Sequence, residues 1–238
     1  MLILFIFIES ELFTPQKILQ FAEHLYQEKD FSGALNEYRR YIFLTDTNRD
    51  EITKRIIYCL VKLQRYDEAI KQARRFKEDA RQRFELGWLY FLKGDYAVSR
   101  RYLEALEIPY KREAQQLIGF SYAMDYKFLR AQEYIKLPPY QPKKKSILIG
   151  SFLGLLPGGG HFYCGRFGDG IYSFLTVGLC GLLSYYYHNN NEDMKFGIAV
   201  GAGILFYAGS IYGAVNAVRN YNHYENEKYL KAVLELNR

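Results

Sequence analysis

Between Ser146 and Val218 the chain carries three stretches without Asp, Glu, Lys or Arg: 146–165, 170–191 and 196–218, of 20, 22 and 23 residues. About 20 helical residues cross the hydrocarbon of a bilayer, so each stretch is long enough to span one. Nothing else in the sequence limits the fold as strongly. In lipid every backbone polar group must be bonded internally, which leaves only helices and closed barrels. The second and third stretches read as helices joined by the polar turn His188-Asn189-Asn190-Asn191-Glu192-Asp193. So short a turn makes them antiparallel neighbours. The first stretch differs, because only Ser146 to Leu156 is plausible helix before Pro157 and three glycines. Those residues rise about 16 Å, half the hydrocarbon thickness. A re-entrant or tilted interfacial segment is therefore expected there.

The stretch Pro157-Gly158-Gly159-Gly160-His161-Phe162-Tyr163-Cys164-Gly165-Arg166-Phe167-Gly168-Asp169-Gly170 invites a ligand-loop reading. A phosphate-binding loop needs G-x-x-x-x-G-K-[ST], and no lysine follows these glycines. A dinucleotide fingerprint needs a preceding strand in a βαβ unit, which is missing. His161, Tyr163, Arg166 and Asp169 are interfacial ionisable groups, and they support an alternative reading as an intramembrane enzyme or small-solute carrier. No nucleophile, base and orienting group can be assigned among them, so no catalytic residue is predicted. The expected role is structural: a membrane-entry turn made of Pro157, Gly158, Gly160, His161, Tyr163, Gly165, Arg166, Asp169 and Gly170, with Arg166 paired to Asp169. Gly150/Gly154, Gly197/Gly201 and Gly209/Gly213 follow G-x-x-x-G, a spacing that lets helices approach closely in lipid. The same spacing allows copies of the chain to associate.

The first half is of another kind. Residues 1–145 hold 26 Lys/Arg against 20 Asp/Glu, whereas 146–238 hold six of each, so the net charge of +6 belongs to the first half. The charges are interspersed, as on a solvated helix surface, and no motif supports nucleic-acid binding. Cys59, Cys164 and Cys180 have no C-x-x-C spacing, and the four histidines are far apart. Neither a disulfide framework nor a metal site is expected, and no cofactor motif is present.

From Gln16 to about Leu137 a period of 30 to 35 residues is visible. Ala22, Ile57, Gly87 and Gly119 form one column. Twelve residues on come Ala34, Ala69, Ser99 and Ala131, all small. Four further lie Tyr38, Ala73, Leu103 and Ile135. Small residues in the first two columns let paired helices approach, while larger ones fill the layer between neighbours. Turns recur at Lys29-Asp30-Phe31, Gln64-Arg65-Tyr66 and Lys93-Gly94-Asp95-Tyr96. On these residues, and most clearly on Leu86 to Tyr96, the chain resembles the tetratricopeptide-repeat (TPR) family. Ile57 and a fourth turn without glycine (Met124-Asp125-Tyr126-Lys127) depart from the pattern. The resemblance implies a protein-binding scaffold whose inner face comes from the first helix of each hairpin: Tyr26, Lys54, Tyr58, Arg81, Phe84, Trp88, Phe91 and Phe120. Only Lys54 and Arg81 are basic there, so the cationic clamp of family members that hold acidic tails is not expected. An aromatic groove suits an apolar peptide or the protein's own membrane half. The competing reading is that Trp88 and its neighbours fill core.

Loop and tail carry a second resemblance. Pro157 to Gly170, with Tyr212-Gly213-Ala214-Val215-Asn216-Ala217-Val218-Arg219-Asn220-Tyr221-Asn222, is similar to the membrane tail of bacterial tetratricopeptide-repeat proteins of unknown function. The loop alone looks like that of the small two-transmembrane-helix domain family, with one residue fewer after His161. These resemblances imply a bacterial envelope protein and transfer no activity.

The expected organisation is all-α. Residues 1–13 form an apolar start, read as a truncated signal peptide, a membrane-touching end or a first packing helix. Residues 14–137 hold about four TPR-like repeats, 138–145 a Pro/Lys linker, 146–218 an α-helical membrane domain and 219–238 an exposed C-terminal helix. The function expected is a membrane-anchored scaffold for a protein or peptide partner, at the bilayer of a bacterial inner membrane. Lys143–Lys145 and the tail cations favour a cytoplasmic repeat half, and a signal peptide the opposite side.

Overall fold

The computed structural model describes residues 14–45 and 49–237; the apolar start of the chain lies outside them. The described residues form twelve helices and no strand. They divide into two compact units, Met1–Leu137 and Pro138–Arg238.

The first unit is a TPR-like array of packed helical hairpins. Its helices are α1 (Pro15–Gln27), α2 (Phe31–Leu44), α3 (Arg49–Lys62), α4 (Tyr66–Ala73), α5 (Asp79–Lys93), α6 (Tyr96–Leu103), α7 (Lys111–Met124) and α8 (Phe128–Ala131). Each hairpin turns through one left-handed residue, at Lys29 (φ 64°), Gln64 (φ 58°), Gly94 (φ 91°) and Tyr126 (φ 56°). The residue after it sends its N–H back to the carbonyl five positions earlier: Asp30 to Leu25 (2.9 Å), Arg65 to Leu60 (2.8 Å), Asp95 to Tyr90 (2.9 Å) and Lys127 to Tyr122 (2.9 Å). This is a Schellman cap, which satisfies carbonyls that the end of a helix would otherwise leave unpaired. The fourth turn makes the same cap without glycine, with Tyr126 in the strained position.

The three columns of the repeat are all buried. Their pairing explains the residue sizes. A methyl group on Gly87 would come within 2.5 Å of Leu103, and one on Gly119 within 2.7 Å of Ile135. Ser99, between them in spacing, donates to the Gly87 carbonyl at 2.7 Å. In the second repeat the sizes are exchanged, with Ile57 in the first column and Ala73 in the third, both in one core. Ile57 is thus a complementary swap rather than a defect of the pattern, since interiors conserve volume more strictly than identity. Arg100 of α6 is buried, with Asp125 at 2.7 Å and the Tyr122 ring 4.4 Å below its guanidinium.

The second unit is built on one helix. α9 (Ile147–Leu153) and α10 (Gly159–Tyr163) are short, α11 (Phe167–Asn189) has 23 residues and α12 (Asp193–Leu236) has 44. α12 does not stop where the uncharged stretch ends at Val218. At 1.5 Å per residue it is about 66 Å long, twice what hydrocarbon needs. α11 packs along its first half, and α9 and α10 pack across Ala214 and Val218. The α11–α12 turn is another left-handed cap, with Asn191 at φ 55° and Glu192 bonded to the Tyr187 carbonyl at 3.0 Å. Both long helices are apolar enough to cross a membrane, with mean hydropathy of 1.3 and 1.7 over their most apolar 18 residues. Their large side chains face outward: Leu179 is 56% exposed, Leu182 69%, Ile204 63% and Leu205 75%.

Candidate functional site

Two sets of residues are candidates, one in each unit. In the array, contacts between successive first helices bring the groove residues together. Arg55 of α3 reaches Glu23 of α1 at 3.3 Å and lies over the Tyr26 ring at 4.8 Å. Tyr26 meets Tyr58 (5.5 Å) and Phe31 (5.8 Å), and Lys62 sits over Tyr58 at 5.0 Å. Burial and this ring cluster raise the Tyr26 pKa, an effect that the Arg55 hydrogen bond opposes.

The remaining predicted groove residues divide by partner. Arg81 is committed to the array: it reaches Glu51 at 3.2 Å and Asp50 at 3.9 Å, and stacks over Phe76 at 4.5 Å. Phe84 stacks on Tyr110 at 4.9 Å, and Phe91 lies against Tyr96 at 5.6 Å. Trp88 is half-buried against the main core, and Phe120 is half-buried. Lys54 and Tyr58 are exposed. Of the two groove cations, then, only Lys54 has no carboxylate partner among the described residues.

Sequence reading missed Glu85. It follows Phe84 on α5, is 8% exposed and has no hydrogen bond or ion pair among the described residues. Desolvation pushes its carboxyl above the usual range, against the opposing pull of Lys54 and Arg81. No spacing rule marks it, because a lone Glu in a charged helix reads as surface. Cys59, fully buried in α3, is pushed up to about 11 by burial, which makes it an inert core thiol.

In the second unit the loop folds as a close-packed turn. Gly158 is left-handed at φ 81°, and a side chain there would overlap the Gly170 carbonyl; its N–H donates to Ser210 at 3.1 Å. A side chain on Gly160 would overlap Ala214, one on Gly150 would overlap Val218, and one on Gly154 would lie 2.6 Å from Ala214. Tyr207 donates to the Leu155 carbonyl at 2.8 Å. Of the G-x-x-x-G pairs, Gly150/Gly154 serves this packing and Gly213 receives the His161 ring, whereas Gly197, Gly201 and Gly209 have open space around them.

The ionisable loop residues separate by environment. His161 is 8% exposed, with its Nδ1 buried and without a hydrogen-bond partner among the described residues, while Arg166 and Asp169 are half-exposed and pair with each other at 2.5 Å. Gly165 makes the loop's second left-handed cap (φ 75°), closed by Arg166 N–H on the His161 carbonyl at 2.9 Å. Pro157 precedes α10 and Tyr163 is its last residue, and the Tyr163 carbonyl accepts from the Lys145 ammonium. Lys145 also lies 4.9 Å from the Tyr163 ring and 4.4 Å from Tyr221. Asn222 accepts from the Lys145 N–H at 2.7 Å and donates to the Lys145 carbonyl at 2.9 Å. Loop and tail, far apart in sequence, therefore pack against each other. No group of three His, Cys, Asp or Glu side chains suited to a metal occurs among the described residues.

No protein-family model matches the chain, and no curated protein shows significant similarity to it.

Proposed function

We propose that the protein is a membrane-anchored tetratricopeptide-repeat scaffold that binds a protein or peptide partner at a bacterial membrane. The observation that carries this reading is the contrast between the units. One is an array with a buried core. The other leaves large apolar side chains exposed along α11 and α12 over a length suited to hydrocarbon. In water such a surface would aggregate, whereas in lipid it needs no covering. The partner sits on the Tyr26, Tyr58, Phe84 and Trp88 face of the array, where half-buried rings offer contact area at low entropic cost. Lys54, exposed on that face, gives it a positive charge to orient the partner. Envelope assembly or membrane-protein biogenesis is the setting that the resemblance suggests.

Two measurements test the reading. Alkaline carbonate washing of membranes is expected to leave the full chain in the pellet, and release into the supernatant refutes the anchor. Crosslinking in cells is expected to capture a discrete partner with the native chain and lose it with Trp88→Ala. A folded Trp88→Ala protein with an unchanged crosslink pattern removes the groove from the reading.

A further inference from the structure

Segment 138–145, a Pro/Lys linker by sequence, lies along the charged half of α12. Tyr229 donates to the Pro138 carbonyl at 3.3 Å, and the Tyr140 and Tyr229 rings meet edge to face at 5.5 Å. Seven residues on, the Asn222 amide holds Lys145 through both of its backbone groups. Between these two attachments the segment and the helix part to leave a cleft of about 470 Å³. Tyr140, Lys143, Tyr221, Glu225, Lys228 and Tyr229 line it.

The lysines near this cleft are not equivalent. Lys145 is spent on the Tyr163 carbonyl and the two tyrosine rings. Lys143 and Lys228 are exposed, and neither has an ion pair among the described residues, although Glu225 lines the same cleft. Two ammonium groups and one carboxylate give the cleft a net charge of +1, which matches a monoanion. A phosphodiester is a monoanion at neutral pH, and lysine binds it as a point charge. The Tyr140 and Tyr221 hydroxyls add neutral donors, and the Glu225 carboxylate accepts from a headgroup hydroxyl or amine.

The position of the cleft along α12 selects the source of that anion. The uncharged stretch ends at Val218. Tyr221 and Tyr229 then lie roughly 5 and 16 Å further along the helix. The polar layer of a bilayer extends about 5–8 Å beyond the hydrocarbon on each side. The near end of the cleft thus falls at headgroup depth. We infer that the cleft holds the phosphodiester headgroup of an anionic phospholipid, with the phosphate at its Tyr221 end beside Lys143 and the Lys228 side chain, rooted about 15 Å along α12, leaning back toward it. This rests on the membrane reading of the second unit.

Native mass spectrometry of the full-length chain from neutral detergent tests it, with phosphatidylglycerol competed against phosphatidylcholine. Phosphatidylglycerol is expected to be retained preferentially. Lys143→Gln with Lys228→Gln is expected to lower that preference about 25-fold, at about fivefold per lysine. The charge-matched pair Lys231→Gln with Arg238→Gln, further from the uncharged stretch along the chain, is expected to change it less than twofold. Equal loss in the two double variants, or no loss in the first, overturns the site. Displacement of the lipid by millimolar inorganic phosphate overturns the lipid assignment in favour of a soluble anion. Carbonate extraction of the same variants keeps the two readings apart: a variant that stays in the pellet but loses the preference separates headgroup binding from anchoring. A native chain washed out by carbonate fails the anchor reading whatever it binds.

Discussion

Gly87 and Leu103 should be energetically coupled, and the coupling can be worked out before it is measured. Leu103 is 1% exposed, so Leu103→Ala deletes a fully buried side chain. Such deletions cost about 2–5 kcal/mol, and about 3 is a fair centre. Gly87→Ala adds a methyl whose carbon lies 2.5 Å from both Cγ and Cδ2 of Leu103. Cγ is not a flexible tip, so Leu103 must leave its rotamer, at about 1–3 kcal/mol. Alanine in place of glycine inside a helix returns about 1 kcal/mol, which leaves a net loss of about 1 kcal/mol. In the double variant the overlap is gone and the new methyl fills part of the cavity. The total should therefore fall about 2 kcal/mol short of the sum of the single losses. The second repeat already contains this arrangement in natural form, as Ile57 with Ala73. The assay is urea unfolding of the full-length chain in detergent, followed by the fluorescence of Trp88, the single tryptophan, next to the substituted glycine. Additivity within about 0.5 kcal/mol would refute the claim that these columns fit each other by volume.

The left-handed turns make an unusual prediction: Gln64→Gly, at an exposed position with φ 58°, is expected to stabilise the array by about 1 kcal/mol in the same urea assay. In the loop, Gly158→Ala and Gly165→Ala both place alanine at positive φ, but only the first meets backbone, at the Gly170 carbonyl. Gly158→Ala should lower the melting temperature of the detergent-solubilised chain several degrees more than Gly165→Ala, and equal losses would remove the close-packed turn. The Glu85 carboxyl is raised by burial, so the fold favours its protonated form. Its contribution is fully present below the unfolded pKa and is lost as pH rises through the folded one. Glu85→Gln is therefore expected to melt above the native chain at pH 7.5, with the gap closing as pH falls toward the ordinary glutamate range; a pH-independent gap would show that Glu85 is already solvated.

Much of the architecture was legible because it rests on local rules. Periodic small residues announced the hairpins, and uncharged stretches of more than 20 residues announced α11 and α12. That the last membrane helix and the charged tail form one helix was not legible from charge alone. Charge marked a boundary at Val218, but a helix bonds to itself and continues through a change of solvent unless glycine or proline stops it. Neither residue occurs between Gly213 and Leu236. The fourth hairpin turn was visible in sequence as a turn without glycine, but which residue would take the left-handed cap was not; Tyr126 does so at a cost in strain.

The sequence alone determined the helical class, the repeat period and the place where polar surface gives way to apolar, because each follows from residues near one another in the chain. Tertiary structure decided the partnerships: Leu103 over Gly87, Arg81 paired with Glu51, Glu85 buried without a hydrogen bond or ion pair among the described residues, and Lys145 held by Asn222, 77 residues away. Those depend on which surfaces meet when helices stack. A charge or a glycine has no fixed meaning until the group facing it is known.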